Sequence, residues 1–87
     1  MTERKYLDPA YSVIMRFGDG TVSSAINAVA AITRRNPSRV YLWMRPEEKG
    51  GTGGFIPSRP QRDLIEYARK RGVPLKTDDF FGAARAA

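Results

Sequence analysis

The chain has 87 residues, enough for one small domain with a modest core and too few for a roomy substrate cleft. It contains no cysteine and no histidine, which excludes disulfides, thiol nucleophiles, Cys/His metal sites and histidine-based triads. The formal net charge is +6, and the whole excess lies between Arg34 and Arg71, because acidic and basic residues cancel on either side. This concentration of charge predicts one face that docks on a polyanion.

The sequence also bears on location. No apolar run approaches the roughly 20 residues needed to cross a bilayer, and the first residues lack the apolar stretch of a signal peptide. We therefore expect a cytoplasmic, nucleoid-associated protein that does not contact membranes. No motif for a cofactor or a metal is present, and none is expected.

Two short helices are predicted in the first third of the chain. Asp8 and Pro9 are typical of a helix start, and this helix is expected to end at Gly18. Its apolar face is formed by Tyr11, Ile14 and Phe17. The second helix has Ser23 or Ser24 as candidate N-caps. Its inner face consists of Ile26, Val29, Ala30 and Ile32.

The stretch NPSRVYLWM predicts a third helix, over residues 37–44. Asn36 suits the N-cap and Pro37 suits the first helical position, because the N–H that proline lacks has no intrahelical partner there. Val40 and Trp43 are three residues apart and are expected to face the core. The residues left on the other faces are Ser38, Arg39 and Leu42.

A fourth helix is predicted after the glycine-rich stretch. Ser58 and Gln61 have the spacing of a capping box, and Gly72 is expected to end the helix. Its apolar stripe consists of Leu64, Ile65 and Ala68, with Tyr67 at the edge. A final turn has Thr77 as its cap, and Phe80 and Phe81 are expected to close the core.

These elements define the predicted fold class. It is all-α, a compact bundle of four to five short helices that contains a helix-turn-helix, with a Gly-rich loop after the third helix. The whole chain, residues 1–87, is expected to form a single DNA-binding domain with flexible tails at 1–8 and 82–87.

The second and third helices have the ingredients of a helix-turn-helix, two short helices joined by a tight turn with the second helix basic. In that motif the third helix enters the major groove of double-stranded DNA. Arg39 is the best candidate to read a base, because a guanidinium can bond guanine O6 and N7 together. Ser38 lies beside it, near the helix start.

Other residues near the motif are assigned by position. Asn36 can cap the helix or contact a base, and we favour the cap because it occupies the side chain. Tyr41 and Leu42 can pack on a thymine methyl group or a sugar, or lie in an interface. The expected base contacts are thus Ser38, Arg39, Asn36 and Leu42. The expected phosphate contacts are Arg34, Arg35, Ser23, Ser24, Tyr41, Arg45, Lys49 and Thr52.

The stretch AVAAITRRNPSRVYLWM, residues 28–44, resembles the helix-turn-helix of small Cro/CI-like phage regulators, in particular the YdaS-type group. The residues that follow it are similar to the tail of bacterial relatives of those regulators. The resemblance implies a non-enzymatic, often dimeric regulator of phage, prophage or mobile-element promoters. One departure stands out, because the family usually has glycine in the turn where this chain has Arg34. The turn here either avoids positive φ or tolerates some strain.

The stretch EEKGGTGGFIPSR, residues 47–59, carries four glycines within five positions. It is not a nucleotide loop, because no lysine follows the glycines and no βαβ unit fits the chain. Two interpretations remain. It is a flexible connector, or its free N–H groups from Gly50 to Gly54, with Lys49 and Thr52, bond a DNA phosphate. The adjacent acids Glu47–Glu48 and Asp78–Asp79 are expected to be solvated, so catalysis is not expected.

The sequence thus predicts a sequence-specific double-stranded DNA-binding transcriptional regulator that acts as a homodimer, without enzymatic activity. The alternative is an antitoxin or another regulator that acts through a partner protein, with the stripe on the fourth helix as its contact surface. The operator, the direction of regulation, the dimer surface and the need for an additional protein partner stay open.

Overall fold

The computed structural model describes residues 6–81. Of the tails expected at 1–8 and 82–87, residues 1–5 and 82–87 lie outside the described range, and residues 6–8 lie within it. The α-helices in this range are α1 (Ala10–Ile14), α2 (Val22–Thr33), α3 (Pro37–Leu42) and α4 (Ser58–Arg71). Two 3-10 turns, at Glu47–Lys49 and Thr77–Phe81, precede and follow α4. No strand occurs among residues 6–81, so the all-α prediction is confirmed.

One hydrophobic core joins the helices. The central helix α2 packs against α1, α3 and α4, and the last 3-10 turn packs against α1 and α4. Val40 and Trp43, predicted to face inward, are 0% and 2% exposed. The other large side chains that are fully buried include Phe80, Ile14, Met44, Ile56 and Leu64. Aromatic side chains such as Trp43 and Phe80 contribute most per residue to such a core, because each buries a large apolar surface.

The chain before α2 contacts the rest of the domain, and α1 within it is shorter than predicted. The N–H of Leu7 donates to the carbonyl of Met44 at 2.9 Å, and the carboxylate of Asp8 accepts the N–H and hydroxyl of Ser12. Although Asp8 was expected as the N-cap, α1 begins at Ala10 with Pro9 in the cap position. The helix ends at Ile14, and bonds between residues three apart carry the chain onward instead of an α-helix reaching Gly18.

The start of α2 differs from the prediction. Thr21 is the N-cap, and its Oγ1 accepts the N–H of Ser24 at 3.2 Å. The carboxylate of Asp19 accepts the N–H and the hydroxyl of Thr21, and the N–H of Asp19 donates to Ser24 Oγ at 3.0 Å. The prediction of Ser23 or Ser24 as the cap was therefore wrong, because the preceding turn supplies an earlier cap.

Helix α3 begins as predicted and ends early. Asn36 Oδ1 accepts the N–H of Ser38 at 2.9 Å, and Pro37 occupies the first turn. The last helical residue is Leu42 rather than residue 44. The N–H groups of the next three residues, 43–45, each bond the carbonyl three positions earlier at 3.1 Å, so the chain tightens into 3-10 geometry before Pro46.

The structure confirms two of the predictions for α4 and the last turn and contradicts three. Gly72 ends α4 with φ 74°, as predicted. The capping box was wrong, because Gln61 is buried and its Nε2 donates to the carbonyl of Ile56 at 2.6 Å. Thr77 is the first residue of the last turn rather than its cap. Phe80 is buried as predicted, whereas Phe81 is 52% exposed and does not close the core.

Candidate nucleic-acid interface

The turn between α2 and α3 consists of Arg34, Arg35 and Asn36. Arg34 has φ 57° and ψ 39°, and it is the only non-glycine residue with positive φ within residues 6–81. The N–H groups of Arg34 and Arg35 both donate to the carbonyl of Ala30, which closes the end of α2. The turn thus adopts the left-handed conformation that glycine would favour, at a cost of about 1 kcal/mol.

The turn and α3 line one concave surface, which we call the α3 groove. Its lining residues are Arg34, Arg35, Asn36, Ser38, Arg39, Leu42, Trp43, Gly50, Thr52 and Pro57. The groove brings together every residue predicted to contact a base and both arginines of the turn. No carboxylate lines it, so all the charged side chains around it are positive.

The polar side chains of the α3 groove are available for a ligand. Ser38 and Arg39 are exposed on α3, and no hydrogen bond or ion pair among residues 6–81 engages the guanidinium of Arg34, Arg35 or Arg39. Asn36 uses its side-chain oxygen as the helix cap, which leaves its Nδ2 group able to donate. Leu42 is half-buried.

Three arginines outside the α3 groove have partners. Arg16 Nη1 lies 2.6 Å from a carboxylate oxygen of Asp79, and Arg45 and Arg71 lie over tyrosine rings at 5.6 and 5.1 Å from the ring centres. The hydrogen bond from Arg16, followed by one from the backbone of Lys76, holds the pKa of Asp79 below its usual range. The arginines of the α3 groove have no such partner within the described chain.

Four of the five N–H groups from Gly50 to Gly54 are bonded to carbonyls within the protein. Gly50, Gly51, Thr52 and Gly53 donate to the carbonyls of Glu47, Pro46, Leu42 and Arg45 at 2.8 to 3.1 Å. The hydroxyl of Thr52 lies 3.1 Å from the carbonyl of Trp43 and accepts the N–H of Phe55 at 3.2 Å. These bonds use most of the donors that a phosphate contact by this segment was expected to need.

The segment is not a loose connector either. A Cβ on Gly51 would overlap the carbonyl oxygens of Arg45 and Leu42, and one on Gly54 would overlap the carbonyl oxygen of Asp8. The carbonyl of Gly54 accepts the N–H of Ala10 at 2.9 Å. Glycine is needed at both positions because backbone passes against backbone, which fastens the end of α3 to the start of α1.

Five residues predicted to contact phosphate do not line the α3 groove, namely Ser23, Ser24, Tyr41, Arg45 and Lys49. Tyr41 packs edge-on against the ring of Tyr6, with the centres 6.2 Å apart, and carries Arg45 on its face. Lys49 is exposed on the first 3-10 turn.

The start of α2 is also a poor phosphate site. Both the N–H and the hydroxyl oxygen of Ser24 are engaged, although Ser23 is exposed. Hydrogen bonds from the side chain and backbone of Thr21 lower the pKa of Asp19, so a negative charge is retained beside this helix end. That carboxylate would repel a phosphate.

A second concave surface, the α4 groove, continues from the first. It is lined by Ile32, Thr33, Arg34, Arg35, Arg59, Asp63, Glu66, Tyr67 and Lys70. Arg59 was not singled out from the sequence, because its position beside the turn results from the packing of α4 on α2. The only sequence signal was its place within the positively charged stretch.

No cluster of three or more acidic side chains that could hold a metal ion occurs within residues 6–81. In the same range, no helix has both the length and the apolar character needed to span a bilayer.

The chain was compared with protein-family models, curated proteins and solved structures, and none of them matches it significantly. The resemblance to phage regulators therefore stays a prediction from sequence.

Proposed function

We propose that the protein is a sequence-specific double-stranded DNA-binding transcriptional regulator of the helix-turn-helix kind, with α3 in the major groove. The observation that carries the proposal is the α3 groove, where Ser38 and Arg39 are exposed beside Arg34 and Arg35 with no carboxylate among the lining residues. A three-residue turn joins α2 to α3, which agrees with the short turn of that motif. In this role the protein acts in the cytoplasm, at the nucleoid, on phage, prophage or mobile-element genes.

The proposed roles follow from position and chemistry. Arg39 bonds a guanine, and Ser38 and the Nδ2 group of Asn36 supply further polar contacts near the helix start. Leu42 provides the apolar contact to a thymine methyl group. Arg34 and Arg35 bond phosphates and fix the orientation of α3 without specifying sequence. Two copies of the chain bind a palindromic or repeated site, with half-sites about one helical turn of DNA apart.

The alternative, a regulator that acts mainly through a partner protein, loses its main sequence argument. Leu64 and Ala68 of the fourth-helix stripe are 0% and 1% exposed, because they belong to the core of the domain. Ile65 and Tyr67 are half-buried. The stripe therefore offers little apolar area to a partner.

The test is selection of duplexes from a random double-stranded pool, followed by affinity measurements on the selected duplex. We expect Arg39→Ala to weaken binding by about 1–3 kcal/mol and to relax the preference at one base pair. Arg69→Ala is the matched control, because Arg69 is exposed and lines neither groove. Affinity should also fall steeply as salt rises. Selection of no sequence, or affinity that is insensitive to salt, would overturn the proposal.

A further inference from the structure

We propose that Arg59 contacts the DNA backbone from α4, as a positioning residue that flanks the α3 groove. This inference depends on the proposed function and adds to it a second element that meets DNA. It concerns a residue distant in sequence from the predicted helix-turn-helix, at Ser24–Met44, and brought beside it by the fold.

The position of Arg59 supports a contact with the DNA backbone. Arg59 lies in the first turn of α4, is exposed, and lines the α4 groove together with Arg34 and Arg35. Pro57, which precedes α4, lines the α3 groove. The start of α4 therefore joins the two grooves, and Arg59 lies beside the same arginines that border α3.

The charges around Arg59 also support this contact. Within residues 6–81, no hydrogen bond, ion pair or ring contact engages the guanidinium of Arg59, Arg34 or Arg35. Three like charges from two elements around one surface repel one another unless an anion lies between or along them. A DNA strand presents phosphates in a regular row, so successive phosphates can meet guanidiniums that belong to different elements.

Carboxylates farther along α4 limit the contact to Arg59. Asp63 and Glu66 follow on the α4 groove, and Asp63 is one helical turn beyond Arg59. Their carboxylates would repel a phosphate strand that continued along α4 toward Lys70. The strand therefore meets α4 at its first turn and diverges from it, which gives one added phosphate contact rather than a series.

The chemistry of the contact is orientation without sequence choice. A guanidinium bonds two phosphate oxygens at once, which fixes an angle as well as a position. Contacts to phosphate carry no direct sequence information. Arg59 should therefore strengthen binding to the selected duplex and to an unrelated duplex by the same factor.

The experiment compares Arg59→Gln with Arg62→Gln in the full chain. Arg62 is exposed on the same helix and lines neither groove, so the two variants lose the same charge from neighbouring turns. Dissociation constants are measured on the selected duplex and on an unrelated duplex between about 50 and 200 mM salt. Circular dichroism melts establish that both variants are folded.

We expect the slope of log affinity against log salt to fall by about 0.9 in Arg59→Gln, so that the wild-type advantage shrinks about 3.5-fold over this fourfold salt range. Arg62→Gln should keep the wild-type slope, and the footprint should be unchanged in both variants. Asp63→Asn should tighten binding to both duplexes, because it removes a carboxylate beside the strand.

Equal slopes for Arg59→Gln and Arg62→Gln would overturn the inference and leave the proposed function standing. A loss confined to the selected duplex would also overturn it, because Arg59 would then read a base. If wild-type protein binds neither duplex in a salt-dependent manner, the proposed function itself fails. These outcomes are distinguishable within the one set of measurements.

Discussion

The α3 groove and the segment Gly50–Gly54 are close in sequence, and both suggested contact with phosphate, yet the structure treats them in opposite ways. In the groove, Ser38 and Arg39 are exposed and their side chains have no partner within the described chain. In the segment, the N–H groups of residues 50–53 are each bonded to a carbonyl of the protein. Both regions are polar in sequence, and only the accounting of hydrogen bonds separates the surface that can bind from the part that supports it.

The comparison also separates two uses of glycine. Gly50 has φ 84°, and a Cβ there would meet nothing, so glycine at this position lets the backbone turn. Gly51 has no left-handed backbone and would drive a Cβ into two carbonyl oxygens, so it serves close packing behind α3. The segment therefore acts on DNA binding only indirectly, by holding the end of α3 in place.

The largest effect expected from this comparison is that of Gly51→Ala on stability. The new Cβ forces the backbone away from the carbonyls of Arg45 and Leu42, which we expect to lower the free energy of unfolding by about 3 kcal/mol, the upper range for overpacking. Gly50→Ala is the control, because its Cβ meets nothing and only the positive φ opposes it, at about 1 kcal/mol. Urea unfolding measures both. Equal losses would mean that the segment is a loose connector.

The sequence predicted well what depends on a few neighbouring residues. Asn36 with Pro37 begins α3, and Gly72 ends α4, because each acts on the backbone beside it. The predicted N-cap of α2 was wrong, because the turn that contains Asp19 makes Thr21 the cap. The partner of Gln61 and the neighbours of Gly51 are near in sequence but lie in irregular segments or at the end of α3, so no helical spacing predicts them.

The residues of the candidate site also differ in how far their positions depend on distant parts of the chain. Ser38, Arg39, Arg34 and Arg35 follow from helix spacing and turn position, so their grouping in the α3 groove agrees with the sequence prediction. Tyr41 and Arg45 were expected at phosphates, but they pack together beside Tyr6, whose approach depends on the N-terminal chain. Tyr41 is therefore engaged with Tyr6 and Arg45, and neither Tyr41 nor Arg45 lines the groove.

The next effect in size tests the two roles of Asn36. Asn36→Ala removes the cap bond to the N–H of Ser38 and should destabilise the domain by about 1 kcal/mol. Asn36→Asp keeps the cap bond and removes the Nδ2 donor, so it should retain stability and weaken DNA binding. Thermal melts and affinities of the two variants separate the roles. If Asn36→Asp binds like the wild type, Asn36 is a cap alone and leaves the set of base contacts.

A smaller effect, with opposite signs in stability and binding, is expected at Arg34. Arg34→Gly relieves the left-handed conformation and should raise the free energy of unfolding by up to about 1 kcal/mol, less the extra freedom of glycine in the unfolded chain. The same change removes a phosphate contact and should lower the salt slope of DNA binding by about 0.9. Arg34→Asn, which tolerates positive φ, is the control for conformation without the charge. Unchanged DNA affinity in both variants would remove Arg34 from the binding surface.

The smallest effect concerns an arginine that has a partner. The Arg16 guanidinium, with the backbone N–H of Lys76, holds the pKa of Asp79 below its unfolded value near 3.8. Because the folded pKa is the lower one, this stabilisation is fully present above the unfolded pKa and is lost as pH falls through the folded pKa. The pair is partly exposed, with side-chain exposures of 34% and 26%, so we expect less than about 1 kcal/mol. The free energies of unfolding of wild type and Asp79→Asn should therefore differ at pH 6 and converge toward pH 2.

DNA binding at neutral pH should be the same in wild type and Asp79→Asn, because Arg16 lines neither the α3 groove nor the α4 groove. A loss of DNA affinity in Asp79→Asn would show that the surface around Arg16 also takes part in DNA binding.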